Sequence, residues 1–219
     1  MAAVRVWHGI GAVALACCLG AAAAQRADPA SDAPESRSLP TRPLVQADTY
    51  DEALTRWRSA DDVNAWIGAR FQYDMRRALQ LSETQRERGG RLPIHAPDAF
   101  FAQPHGVCVD LSRFAVDTLR RIDPASKPVY LMIEFDPVAI QGQVLRRHWV
   151  ARFERDRQLY FFADSKRPGH IAGPYADTAA YIRDYAAYRG RTIVAFREME
   201  STDKQRRTLA LKQPRDPKP

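Results

Sequence analysis

Residues 144–163 read VLRRHWVARFERDRQLYFFA, and their alternation decides the fold. A period of two runs along 144–153 and again along 158–163, on either side of the charged stretch Glu154-Arg155-Asp156-Arg157. Since successive side chains of a strand point to opposite faces, the stretch predicts a β-hairpin. The same period over 129–135 predicts a strand before it. A further strand over 192–196 follows a helix over 177–188 that Gly190 is placed to end. Earlier in the chain the period changes. Leu111, Phe114, Ala115, Thr118, Leu119 and Ile122 recur at three and four, which predicts an amphipathic helix over 109–122 with Cys108 at its start. Ser59 followed by Asp62 resembles a capping box, opening a helix that carries Val63, Trp66, Ile67 and Phe71 on one face. Gly89-Gly90 and Pro93 break the stretch between, so residues 82–105 are expected to be mostly loop. Helices gather first and strands later, an order that favours an α+β domain with an antiparallel sheet over a doubly wound parallel one.

This domain, about residues 48–200, is flanked by segments of different composition. Residues 25–47 hold Pro29, Pro34, Pro40 and Pro43 among polar residues with no apolar period, and read as a disordered tether. Residues 201–219 carry six lysines and arginines with three prolines and read as a basic, solvated tail. Residues 1–24 have no acidic residue, Arg5 near the start, an apolar stretch from Ile10 to Leu19 and a terminal Ala22-Ala23-Ala24. That is the pattern of an export signal cut before Gln25, and it implies a periplasmic or secreted protein. The apolar stretch is far shorter than the ~20 residues of a membrane span, so no transmembrane span is expected. Lipid attachment at Cys17 or Cys18 fits less well: Ala14 stands where a leucine is usual before Cys17, and Cys17 stands where a small residue is usual before Cys18.

Composition narrows the function classes. With 45% hydrophobic and 27% charged residues the chain is neither wholly disordered nor a collagen-like repeat. Its net charge of +7, or +6 once Arg5 is removed, suits an anionic surface met through the basic tail. Nucleic acid is not the expected partner, because the basic residues lack interleaved aromatics and export removes most targets. The sequence has no cysteine pair for zinc, no His-Glu-x-x-His, no phosphate-binding glycine loop and no Gly-x-Ser-x-Gly. A mechanism without metal or cofactor is therefore expected.

After export one cysteine remains, Cys108, which is either a small buried hydrophobe or a nucleophile. A helix N-terminus favours a thiolate, and its free N–H groups can face an oxyanion formed when the sulfur attacks a carbonyl. Gly106 permits a close approach just before it. The mature chain offers four histidines as the base. His95 and His105 lie in the expected loop, His170 sits beside Gly169 in an expected turn, and His148 lies within a strand that fixes its ring direction. The orienting acid is then sought on the neighbouring strand, where Asp164 closes Ala163-Asp164-Ser165. A three-residue turn at 155–157 puts Asp164 opposite His148 on one face. A two- or four-residue turn puts them on opposite faces unless a bulge intervenes.

Gly106-Val107-Cys108-Val109-Asp110 opening a helix, His148-Trp149-Val150 on a strand and Ala163-Asp164-Ser165 closing the next together resemble the transglutaminase-like superfamily. The resemblance covers about residues 59–198 and implies a papain-like fold with Cys108, His148 and Asp164 as catalytic residues. Exported bacterial relatives include cysteine proteinases. The implied activity is hydrolysis of peptide or amide bonds through a thioester, on a protein or peptide substrate in the cell envelope. An amine in place of water would make the same residues an acyl transferase, and an inactive module binding an envelope partner is the alternative of another class. Those proteinases usually carry an acidic residue where Val107 stands, and the clustered carboxylates of the calcium site some of them use are not visible here. The resemblance also asks for a second oxyanion donor beside the Cys108 N–H. Gln103, five residues before the nucleophile, and Tyr73, 35 before it, are the candidates. Asp110 reads as structural, paired with an arginine or favouring the helix start.

Overall fold

The computed structural model describes residues 32–34, 37–38, 42–90 and 92–202. Side-chain caps set most of the helix starts. Thr49 accepts the Glu52 N–H at 3.1 Å and opens α1, Tyr50–Arg56. Ser59 and Asp62 form the expected capping box at α2, Ala60–Arg70, where Asp62 Oδ2 accepts the Ser59 N–H at 3.1 Å. Next come β1, Gln72–Tyr73; α3, Met75–Gln80; α4, Glu83–Glu87; α5, Pro97–Ala102; and β2, His105–Gly106, which pairs with β1 in parallel. The long helix α6, Cys108–Ile122, leads into β3, Val129–Ile140, and β4, Gln143–Arg155. The chain ends with β5, Gln158–Phe162; β6, Ala172–Tyr175; α7, Thr178–Arg189; and β7, Ile193–Met199. Strands β3 to β7 form one sheet in the order β6-β5-β4-β3-β7, antiparallel at every junction. The fold is α+β.

Alternation along these strands divides the core between two faces. Tyr130, Met132, Trp149, Ala151, Phe153 and Phe162 face α6, whose Phe114 packs with Trp57, Trp66 and Phe100 in an aromatic cluster. Leu131, Ile133, Val150 and Phe161 face α7 through Tyr181, Ile182 and Tyr185. Each fully buried side chain of this size contributes about 1.5–3 kcal/mol. α7 ends as expected at Gly190, whose φ of 58° is the left-handed conformation that glycine adopts without steric cost.

The sequence reading is corrected in one place and completed in another. Residues 82–105 hold α4, α5 and β2 rather than mostly loop, because Ser82 and Pro97 each start a helical turn on either side of the glycine break. Of the turn lengths left open for the β4–β5 hairpin, the chain adopts the two-residue one. Asp156 and Arg157 both have positive φ, 53° and 61°, and the ladder pairs Arg155 with Gln158 and Ala151 with Phe162.

The described residues of the proline-rich stretch 25–47 are docked on the fold. Trp57 Nε1 donates to the Val45 carbonyl at 3.1 Å, Arg42 pairs with Asp62 at 3.1 Å, and Leu44, Val45 and Ala47 pack against the core. Composition predicts a tether because no apolar period is present. The attachments are instead single long side chains and backbone carbonyls, which leave no periodic trace. The export signal over 1–24 and the basic tail from 203 onward lie outside the described residues.

Candidate active site

Cys108 is the first residue of α6, and the chain before it is held by a buried carboxylate. Asp110 is fully buried and accepts four hydrogen bonds: from Arg77 Nε and Nη2, each at 2.7 Å, from the His95 N–H at 2.9 Å and from the Val107 N–H at 3.1 Å. A buried carboxylate is tolerated when every lone pair is used in this way. Its effect is to fix the entry of α6 and so the direction of Cys108. Gly106 completes the fit, since a Cβ there would lie 2.8 Å from the Phe100 ring and 3.0 Å from Asp110 Cβ.

His148 pairs with Ile133 on one side, while on the other side the β5 ladder ends at Ala151 and Phe162, before His148 is reached. Along that uncovered edge the imidazole meets the nucleophile. Cys108 Sγ, a His148 ring nitrogen and a carboxylate oxygen all lie within 4.8 Å of one another. The carboxylate is Asp32, which sequence reading leaves in the tether. Its Oδ2 is 3.6 Å from His148 Nδ1, an ion-pair distance rather than a hydrogen bond, and its Oδ1 takes the Arg189 Nη2. On the opposite side of the ring, His148 Nε2 is 3.1 Å from Asp164 Oδ1, which also accepts the Lys166 N–H at 2.9 Å. Tyr185 stacks on the imidazole with centroids 5.5 Å apart.

Charge dominates this pocket. Burial alone would disfavour the His148 imidazolium, but the carboxylates of Asp32 and Asp164 outweigh it and hold its pKa well above the ordinary histidine value. The reciprocal effect acts on the acids. Burial pushes both carboxyls up, yet the His148 charge, with Arg189 behind it, brings Asp32 and Asp164 below the usual carboxylate range. Burial raises the Tyr73 hydroxyl pKa, and the nearby Asp32 carboxylate raises it further, which puts Tyr73 beside the same pocket.

Of the expected residues, Cys108, His148, Asp164 and Tyr73 come together. Gln103 is exposed at the end of α5. His105 is exposed on β2, and His170 is half-buried beyond β5, with its pKa lowered by burial and by Arg167. Asp32, Arg189 and Tyr185 are members that sequence reasoning missed. Arg189 reads as an ordinary basic residue in the last turn of a helix, and Asp32 gives no signal among prolines. One sulfur, one nitrogen and one oxygen are also a zinc-like donor set. In this structure the Asp32 carboxylate also pairs with the Arg189 guanidinium. Compared with protein-family models and with curated proteins, the chain matches none.

Proposed function

We propose that this chain is an exported cysteine hydrolase of the transglutaminase-like, papain-like type, acting on peptide or amide bonds. The observation that carries the reading is that Cys108 Sγ lies within 4.8 Å of a His148 ring nitrogen while His148 Nε2 is 3.1 Å from Asp164 Oδ1. In the reaction Cys108 Sγ attacks the carbonyl carbon and a C–S bond forms. The oxyanion faces the Cys108 backbone N–H at the start of α6, with Tyr73 as the side-chain donor. His148 delivers its proton to the leaving nitrogen as the C–N bond breaks, and Asp164 holds the ring and stabilises its charged form. Water then attacks the thioester with His148 as base, releasing the acid and restoring the thiol.

The test is cleavage of cell-envelope protein by the full chain, with new N-termini mapped by mass spectrometry. Termini produced by the wild type and absent with both Cys108→Ala and His148→Ala support the reading. An identical set of termini from all three proteins overturns it.

A further inference from the structure

We propose that the chain segment around Asp32 and Ser38 is an inhibitory strap that fills the catalytic pocket and must lift before substrate enters, an inference that rests on the hydrolase reading above. Asp32 is held at three points. Its carboxylate lies between His148 Nδ1 and Arg189 Nη2, and its backbone carbonyl accepts the Ser165 hydroxyl at 3.3 Å. A few residues on, the Ser38 N–H donates to the Pro168 carbonyl at 3.2 Å, and Arg37 donates to the carbonyls of Gly68, at 2.9 Å, and Phe71. The described residues of the strap thus touch both the loop after β5, through Asp32 and Ser38, and the end of α2, through Arg37. Two glycines let it lie that close: a Cβ on Gly169 would come 2.7 Å from the Ser38 carbonyl oxygen and 2.9 Å from Gly68 Cα.

The obstruction is steric and electrostatic together. A scissile carbonyl has to reach Sγ with the imidazole beside it, and the Asp32 carboxylate already sits within 4.8 Å of both. With the strap in place Cys108 is 7% exposed and His148 is 0% exposed, which leaves no path for a peptide. Charge accounting adds a second block. The imidazolium and the Arg189 guanidinium are balanced by Asp32 and Asp164, so Asp32 takes the position of counter-ion that a Cys108 thiolate holds in a working Cys–His pair. When the strap lifts, one negative charge leaves and the thiolate replaces it, restoring balance with an active nucleophile. Among the described residues, Nε and Nη1 of Arg189 and the Tyr185 hydroxyl have no hydrogen-bond partner, so the pocket is lined with polar groups that the Asp32 carboxylate does not satisfy.

The rate at which iodoacetamide alkylates Cys108, followed by mass spectrometry on the full chain, tests this without a known substrate. Asp32→Ala removes the charged plug, and Arg37→Ala loosens the strap from a position outside the pocket. Acceleration of about tenfold or more in both, relative to wild type, is the expected result. Wild-type rates in both overturn the strap. Acceleration in Asp32→Ala alone also overturns it, leaving only a local charge effect. Asp32→Asn, which keeps the side-chain volume, replaces Asp32→Ala if the latter unfolds at the assay temperature. A further comparison keeps the two readings apart: adding His148→Ala to Asp32→Ala slows alkylation if Cys108 and His148 work as a pair, and an unchanged rate rejects the pair whatever the strap does.

Discussion

His148 Nε2 and Asp164 Oδ1 lie 3.1 Å apart although the ladder of their two strands is out of step for such a meeting. The two-residue turn at Asp156-Arg157 sets a register in which continued alternation would carry residue 164 to the other face of the sheet. Ala163 prevents this. With φ at 60° it leaves the β region just after β5 ends at Phe162, reverses the alternation and swings Asp164 toward the imidazole. A strained backbone residue thus sits directly beside a candidate catalytic group.

Ala163 is accordingly where backbone conformation and site can be separated. Ala163→Gly should keep the fold and activity, because glycine takes a positive φ without penalty. Ala163→Val places a β-branched side chain at that φ in a buried position, and should lower unfolding free energy by about 1–3 kcal/mol while moving Asp164 off the ring. Urea denaturation and turnover of both variants check this. Equal stability and turnover for Gly and Val would remove the role given to Ala163.

Arg77 and Asp110 test how firmly the entry of α6 is fixed. Arg77→Ala leaves the fully buried Asp110 without its bidentate partner, and should cost about 3–5 kcal/mol by urea denaturation. Arg77→Lys keeps a charge but not the fork, and should recover only part of that loss. A loss below about 1 kcal/mol for Arg77→Ala would mean that the pair is not what organises this turn.

The parts legible in the sequence are those with long periods. Helix α6, the β4–β5 hairpin and the Gly190 stop were readable because ten or more residues repeat one pattern, and Cys108 and His148 were readable because those elements carry them. Elements of four to seven residues, such as α1, α3 and β6, are too short for a period to show. Asp164 was found because it closes the strand beside that of His148, with the register left open; the two-residue turn needs an irregularity to bring the two together, the left-handed Ala163 supplies it, and nothing in an alanine announces it. Asp32 was illegible for another reason. It reaches His148 across more than 100 positions of sequence through a segment with no regular structure, so neither period nor spacing relates the two.

The pocket charges make a signed prediction for stability. His148 has a folded pKa above its unfolded value of about 6.5, so its contribution is fully present below that pH and is lost as pH rises through the higher folded value. Asp32 and Asp164 are shifted down, so theirs is present above about pH 3.9 and is lost as pH falls through their lower folded values. The Tm deficit of His148→Gln relative to wild type should therefore be largest between about pH 4 and 6.5 and shrink on the alkaline side. A deficit that stays constant from pH 5 to 10 would show that folding does not raise the His148 pKa.

Asp164→Asn asks whether the acid acts by charge or by shape. The amide is nearly isosteric and still offers an oxygen to the Lys166 N–H, so the turn after β5 should persist and the fold with it. What disappears is the negative charge that, together with Asp32, holds the His148 imidazolium against its burial. In a Cys–His pair the ion pair is already formed before substrate binds, so the acid is needed less than in a serine enzyme. Turnover should fall by about ten- to a thousandfold, less than for Cys108→Ala or His148→Ala. The charge role also predicts that the imidazolium of Asp164→Asn titrates at a lower pH than that of wild type, read by NMR of the His148 ring. A lower titration with unchanged turnover would make Asp164 a structural partner of His148 and leave Cys108 and His148 as a dyad. No change in either would separate Asp164 from the site altogether.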